Sequence, residues 1–264
     1  MKNLIYTVAF DAPDAPPFHQ MMAKMLVSSI LRTGFQGDVL ILTNAPTRIF
    51  EYRRPRVSEM SFDTGKLGAY ALREEAQRFK FGAHRYVKAK AYEKIMFVDC
   101  DCLFMNSPDA LFQPEADLAY CEEIYTWITG DMNNAYLTEK EMKKLDRPAI
   151  NSGVWWIRRE HFKEVLTEWQ RIDQSSPLRE KWSGDQPAFV RLILDTPLQT
   201  IAFKYRQDVG FPFVEKKCLH ELDDAVVLHF CAQPTPKKLA HLYGTYMGRF
   251  HPGSVFALNS FLNG

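Results

Sequence analysis

One short run constrains this chain more than any other: Ile95-Met96-Phe97-Val98-Asp99-Cys100-Asp101. Four consecutive apolar residues predict a strand covered on both faces, as in the interior of a parallel sheet. Two carboxylates follow at once. Ligands of open α/β sheets bind outside the carboxyl ends of the strands, so this acidic pair stands where a ligand is expected. Residues i and i+2 of an extended chain share a face, which lets Asp99 and Asp101 address one centre. Neighbouring anions repel, and burial makes that worse, so a cation is their natural counterweight. Oxygen donors suit Mg²⁺ or Mn²⁺. The same two residues would also serve merely to end a strand and cap the next turn, and the pair alone does not separate these readings.

The surrounding pattern defines the sheet. Residues 4–10 read as a buried strand followed by a turn-rich stretch. Met22, Met25, Leu26, Ser29 and Ile30 recur at helical spacing, with Gly34 and Gly37 as stops. Residues 38–43 are a second continuous apolar strand, and strand, helix, strand in this order predicts a parallel βαβ unit. Residues 55–60 predict a third strand, and residues 66–93 have helical composition with breaks at Gly68 and Gly82. Ser107-Pro108 reads as an N-cap followed by proline at the first helical position. Strands are expected at 117–122, 149–157 and 225–230. Helices are expected around Phe162, Val165, Leu166 and Trp169, and again from Ser183. Residues 127–148 are polar and irregular, an excursion over the site. The alternation predicts one α/β domain with a mixed second half, since no linker or repeat divides the 264 residues.

Composition removes several classes. Lys and Arg number 33 against 32 Asp and Glu, a net charge of +1, which argues against a general nucleic-acid binder. Apolar runs reach only four or five residues, far short of the roughly 20 that cross a membrane. The first ten residues lack the long apolar core of a signal peptide. Five cysteines without framework spacing favour reduced thiols and a cytoplasmic setting, free or peripheral to a membrane. Cys100 and Cys102 have no second Cys/His pair at zinc spacing, so packing is the expected role of both.

Other polar groups have two readings each. His229 ends the apolar run Val226-Val227-Leu228, as a core histidine or as a third metal ligand. Lys237 and Lys238 are a solvated pair or a phosphate clamp. Ser183-Gly184-Asp185-Gln186 fits a capping box, yet a carboxylate and an amide at a helix start also grip sugar hydroxyls. In Asn151-Ser152-Gly153, the glycine permits close backbone packing or the approach of a ligand, and Asn151 offers both donor and acceptor. Trp155, Trp156 and Trp182 are core aromatics or stacking faces for a pyranose ring.

In order, these pieces resemble the metal-dependent retaining glycosyltransferases of family 8, which include glycogenin and bacterial galactosyltransferases. The resemblance rests on Phe97-Val98-Asp99-Cys100-Asp101-Cys102-Leu103-Phe104, Asn151-Ser152-Gly153-Val154, Gly184-Asp185-Gln186 and Leu228-His229-Phe230, and spans about residues 3–240. It implies a GT-A fold: one Rossmann-like domain over 1–264, with a mixed, mostly parallel sheet flanked by helices. Residues 1–125 would bind the nucleotide, and residues 126–264 would form a smaller acceptor-side elaboration completing the metal site. It implies Mn²⁺ (or Mg²⁺) on Asp99, Asp101 and His229. It places Asn151, Asp185 and Gln186 at the donor sugar and reaction centre. Val8, Ala9 and Phe10 would lie by the nucleotide, with Cys100 counted among them. Arg85 or Lys88 would contact donor phosphate or sugar. The family's His-x-x-Gly-x-x-Lys is altered here: Ala232 and Thr235 occupy the glycine and lysine positions, and Lys237 and Lys238 follow.

The implied activity moves a sugar from a nucleotide-diphosphate donor, a UDP-sugar, to a carbohydrate, lipid-linked or protein acceptor with retention. Two other readings share the residues. One is an inactive nucleotide-sugar-binding protein of the same fold. The other is a haloacid dehalogenase-type phosphatase, which also carries Asp-x-Asp after an apolar strand but near its N-terminus and with Thr or Val where Leu103 stands here.

Overall fold

The computed structural model describes residues 1–50, 54–65, 67–122, 137–142, 149–175, 185–212 and 224–230. Its first strand, β1 (Lys2–Ala9), leads through α1 (Phe18–Arg32) to β2 (Asp38–Thr43) and then β3 (Val57–Ser61). Next come α2 (Ala69–Gly82), β4 (Tyr92–Val98), β5 (Cys102–Phe104), β6 (Leu118–Glu122) and the short α3 (Glu139–Met142). The chain continues with β7 (Ile150–Arg158), α4 (Arg159–Gln174), α5 (Asp185–Asp195), β8 (Thr200–Phe203), β9 (Val209–Gly210) and β10 (Val227–His229).

Seven strands form the main sheet in the order β3-β2-β1-β4-β7-β6-β8. β3, β2, β1 and β4 are mutually parallel, β7 runs antiparallel to β4 and β6, and β8 is parallel to β6. The mixed, mostly parallel sheet with flanking helices is the expected architecture. The apolar stretches Leu4–Tyr6, Val39–Leu42 and Ile95–Val98 of β1, β2 and β4 are covered on both faces. α1 packs Met22, Met25, Leu26 and Ile30 into the core on one side, and α2, α4 and α5 cover the other. Among the described residues no helix is long and apolar enough to cross a membrane.

From β1 the chain first builds outward to β2 and β3, then returns to place β4 on the other side of β1. The carboxyl ends of β1 and β4 therefore flank a topological switch point, the crevice where α/β sheets take their ligands. A second sheet, β5-β10-β9, stands beyond it. There His229 pairs with Cys102, Leu228 with Leu103 and Val227 with Phe104, antiparallel.

Several elements differ from expectation. Ser107 does cap the turn that follows, accepting from the Asp109 N–H, but that turn is a 3-10 helix, Pro108–Phe112. Residues 66–93 divide into α2, two 3-10 turns and the start of β4, with Ala83–Arg85 following directly on α2. Trp155 and Trp156 are fully buried on opposite faces of β7. Trp155 lies among Phe97, Trp169 and Phe189, and Trp156 donates to Leu111 O, so both are core residues and not sugar platforms. Trp182 lies outside the described residues, as does most of 127–148. Cys100, Cys102 and Cys121 are buried thiols.

Candidate active site

β4 ends where the Asp99 N–H donates to Gly153 O at 2.8 Å. The chain then turns: the Cys102 N–H donates to Asp99 O at 3.1 Å. Asp99 and Asp101 therefore converge because the chain reverses between β4 and β5, not because they alternate along an extended strand. The end of β10 is stitched to the same turn, with the Phe230 N–H donating to Asp101 O at 3.1 Å. This brings His229 Nε2 to 3.6 Å from Asp99 Oδ2 and 3.3 Å from Asp101 Oδ1. The ring is buried and lies against Phe211.

The donor set suits a divalent cation. Asp101 Oδ1 is buried without a well-formed hydrogen bond, and a buried acceptor left in that state calls for a partner. The potential ligand atoms of Asp101, His229 and Cys102 all lie within 4.8 Å of one another, a closeness that does not separate ligation from packing for Cys102. Two carboxylates and an imidazole are a donor set for a divalent transition-metal ion.

The Asn151-Ser152-Gly153 stretch forms a bulge in β7: opposite β6, the pairing steps from Tyr120–Trp155 to Cys121–Asn151. Bulges re-aim side chains next to sites. Here Asn151 Oδ1 accepts the Gly153 N–H at 2.7 Å and holds the bulge. Ser152 Oγ donates to Asp185 Oδ2 at 3.1 Å, while its N–H donates to Gln186 Oε1 at 3.3 Å. Asp185 opens α5, and its own carbonyl accepts from Trp169 Nε1 at 2.9 Å. The structure thus brings Asp99, Asp101, Asn151, Asp185, Gln186 and His229 into one neighbourhood.

Lys80, on the last turn of α2, joins them. Its ammonium lies 2.5 Å from Asp185 Oδ2 and 3.5 Å from Asp99 Oδ1, and it donates to Ser152 Oγ at 3.2 Å. Below it is the Phe97 ring, 4.5 Å away. The helix is anchored at this point by the Tyr6 hydroxyl, which donates to Lys80 O at 2.8 Å. Nothing in the spacing of the sequence marks Lys80. Its one signal is position: it stands between Phe79 and Phe81, on a helix otherwise rich in charge.

The electrostatics follow from this packing. Burial pulls the Lys80 pKa down, but Asp185 and Asp99 outweigh it and hold the ammonium above its ordinary value. Burial pushes the Asp99 carboxyl up to about 6, with Asp101 and Asp185 adding to the rise and Lys80 and His229 opposing it. Burial also pushes Asp101 upward, yet the adjacent His229 prevails and holds it below the usual carboxylate range. Three carboxylates face one ammonium and one imidazole, which leaves an excess of negative charge for a cation to balance.

Other expected residues lie elsewhere. Arg85 and Lys88 are exposed, on the segment running from α2 back to the amino end of β4. That is the opposite edge of the sheet from Asp99, and the basic group that reaches the acidic pair from this helix is Lys80. Val8, Ala9 and Phe10 end β1 at the switch point, although the Phe10 ring turns into a cluster with Phe79. Cys100 lies between the two carboxylates as a buried core residue whose thiol burial pushes well up. Ser183, Gly184, Lys237 and Lys238 lie outside the described residues.

No protein-family model matches the sequence, and no curated protein matches it either. Solved structures do match. A glycosyltransferase involved in glycosylation of the major capsid of PBCV-1 is 12% identical with a TM-score of 0.57, over 93% of this chain and 100% of its own. The galactosyltransferase LgtC in complex with donor and acceptor sugar analogs is 9% identical with a TM-score of 0.59, over 92% and 95%. Mouse xyloside xylosyltransferase 1 is 15% identical with a TM-score of 0.54, over 89% and 100%. The likeness is one of fold: this chain has the GT-A architecture of these glycosyltransferases.

Proposed function

We propose that the protein is a metal-dependent glycosyltransferase that moves a sugar from a UDP-sugar to an acceptor hydroxyl with retention. The observation that carries this reading is the convergence of Asp99, Asp101 and His229 at the switch point, with Asp185 tied to Asp99 through Lys80. The fold shared with glycosyltransferases, one of them in complex with donor and acceptor sugar analogs, supports it.

In this reading Asp99, Asp101 and His229 hold Mn²⁺ or Mg²⁺. Such an ion, when bound, supplies positive charge against the donor diphosphate and eases departure of the nucleotide. Lys80, rather than Arg85 or Lys88, is the helix-borne cation. It holds the Asp185 carboxylate in one position beside the reaction centre. Asp185 stabilises positive charge developing at the anomeric carbon, and preorganised charge of this kind acts most strongly where water is excluded. Gln186 and Asn151 orient the donor sugar. Val8, Ala9, Phe10 and Cys100 line the nucleotide, and Lys237 and Lys238 neutralise the diphosphate. Residues 1–125 thus bind the nucleotide and 126–264 complete the site and receive the acceptor.

The test is a thermal-shift screen of UDP- and GDP-sugars with and without Mn²⁺, followed by transfer assays on Asp99→Asn and Asp101→Asn. A ligand that binds the folded state raises its melting temperature. A Mn²⁺-dependent shift with a UDP-sugar is expected, together with loss of transfer in both variants. Full metal-dependent transfer by the two variants would sink the reading.

A further inference from the structure

We infer that Cys102 is a further ligand of the cation site and fits it to thiophilic divalent ions, Zn²⁺ foremost. The inference rests on the metal-dependent reading above and adds a ligand to it.

The strand register brings the thiol to the site. β5 and β10 are antiparallel, with Cys102 opposite His229. The Phe230 N–H donates to Asp101 O, a bond between the two residues just outside that pair. Cys102 and His229 are therefore a non-hydrogen-bonded pair, and the Cys102 N–H is turned to Asp99 O at 3.1 Å. In such pairs the Cα atoms approach to about 4.5 Å, and the two side chains, on one face of the ladder, come closest. The His229 ring on that face reaches Asp101 Oδ1 at 3.3 Å and Asp99 Oδ2 at 3.6 Å. Cys102 thus shares the face that meets the acidic pair, while Leu103 alternates to the other.

Distance and charge agree with ligation. The potential ligand atoms of Asp101, Cys102 and His229 lie within 4.8 Å of one another. Donors bonded to one ion at about 2.0–2.3 Å can stand up to about 4.5 Å apart, so these three are near ligand spacing. Asp101 Oδ1, buried without a well-formed hydrogen bond, is the acceptor in this group that calls for a cation. Asp99 already has the Lys80 ammonium at 3.5 Å. A carboxylate, a thiolate and a neutral imidazole carry together the charge that a divalent ion cancels. The sulfur changes which ion that is. Oxygen donors suit Mg²⁺ and Mn²⁺, whereas a thiolate selects softer ions such as Zn²⁺.

The experiment titrates Co²⁺, a coloured stand-in for Zn²⁺, into wild type, Cys102→Val and Cys102→Ser, read by absorption. Calorimetry supplies the Zn²⁺ and Mn²⁺ affinities, and melting curves show which variants are folded. Cys102→Val keeps an apolar side chain of similar size and removes the sulfur, and Cys102→Ser replaces the sulfur by oxygen. Expected is a sulfur-to-cobalt charge-transfer band in wild type that both variants lack. Zn²⁺ affinity should fall at least about tenfold in Cys102→Val. Mn²⁺ affinity should change by less than about threefold, since that ion is held by oxygen and nitrogen. Co²⁺ binding by wild type without the band overturns this inference alone, whether or not the variants fold. So does a band that survives in Cys102→Val, or unchanged Zn²⁺ affinity there. Absence of Co²⁺, Zn²⁺ and Mn²⁺ binding by wild type overturns the metal-dependent reading, and this inference with it.

Discussion

The imidazole of His229 lies directly against the backbone of Gly153. A methyl group on that Cα would stand 2.1 Å from Cε1, 2.8 Å from Nδ1 and 2.7 Å from Asp99 Oδ2. No side chain tolerates such contacts, so anything larger than hydrogen must displace a metal-binding candidate. Gly153→Ala is therefore expected to weaken Mn²⁺ binding at least tenfold and to reduce sugar transfer about a hundredfold. Overpacking of this kind costs about 1–3 kcal/mol of stability. Calorimetric Mn²⁺ titration of the variant checks it, and wild-type affinity would show that His229 is not held in this place.

Lys80 is a buried ammonium with two carboxylate partners, and removing it strands both. Lys80→Met should lower stability by about 3 kcal/mol, the usual cost of breaking a buried ion pair from one side. Lys80→Met combined with Asp185→Asn should recover part of that loss, since contacting residues are not additive. Denaturant melts of the two single variants and the double variant supply the test. Strict additivity would mean that the 2.5 Å contact contributes no coupling.

Asp99 should make the metal-free protein pH-sensitive. Its folded-state pKa is raised from 3.8 to about 6, so the native fold favours the neutral acid. That preference is fully present below pH 4 and is lost as pH rises through about 6, where ionisation sets in against burial. Asp99→Asn should therefore melt higher than wild type above pH 6, with the gap closing toward pH 4. Cation affinity of wild type should fall below pH 6, as protons compete for the ligand. Melting curves from pH 4 to 8 in chelator decide the first point, and a gap independent of pH would contradict it.

Lys94 provides a control without chemistry. Its ammonium is buried near the amino end of β4, over the Trp156 ring, and donates to Phe112 O and Pro114 O, both at 2.7 Å. Lys94→Met leaves both carbonyls without that donor, a cost of about 1–3 kcal/mol. Transfer per folded molecule should stay within about twofold of wild type. A large loss of turnover in the folded variant would place Lys94 in the reaction.

The parts of the fold that were legible are those whose physics is local. β1, β2, β4 and β7 announce themselves by continuous apolar runs, and α4 by the spacing of Phe162, Val165, Leu166 and Trp169. β5, β9 and β10 have only two or three residues each, so partners define them more than composition does, and only β10 carries an apolar run that predicts it. The acidic pair was visible because it ends a strand. The turn that joins its members was not, since the Cys102 N–H to Asp99 O bond leaves no mark in residue spacing. Lys80 escaped because both carboxylates it serves lie far along the chain.

The pairing of β10 with β5 has a consequence for how the protein is born. All seven strands of the main sheet lie at or before Phe203, whereas His229 ends β10. Chains are synthesised from the amino end and can begin to fold as they emerge. The large sheet can therefore close while His229 is still unmade, leaving Asp99 and Asp101 without their imidazole. Only after β10 docks on Cys102, Leu103 and Phe104 does the proposed set of Asp99, Asp101 and His229 exist. On the proposed reading, cation capture would then be a late event in the life of each molecule, and a chain interrupted before residue 229 would lack it.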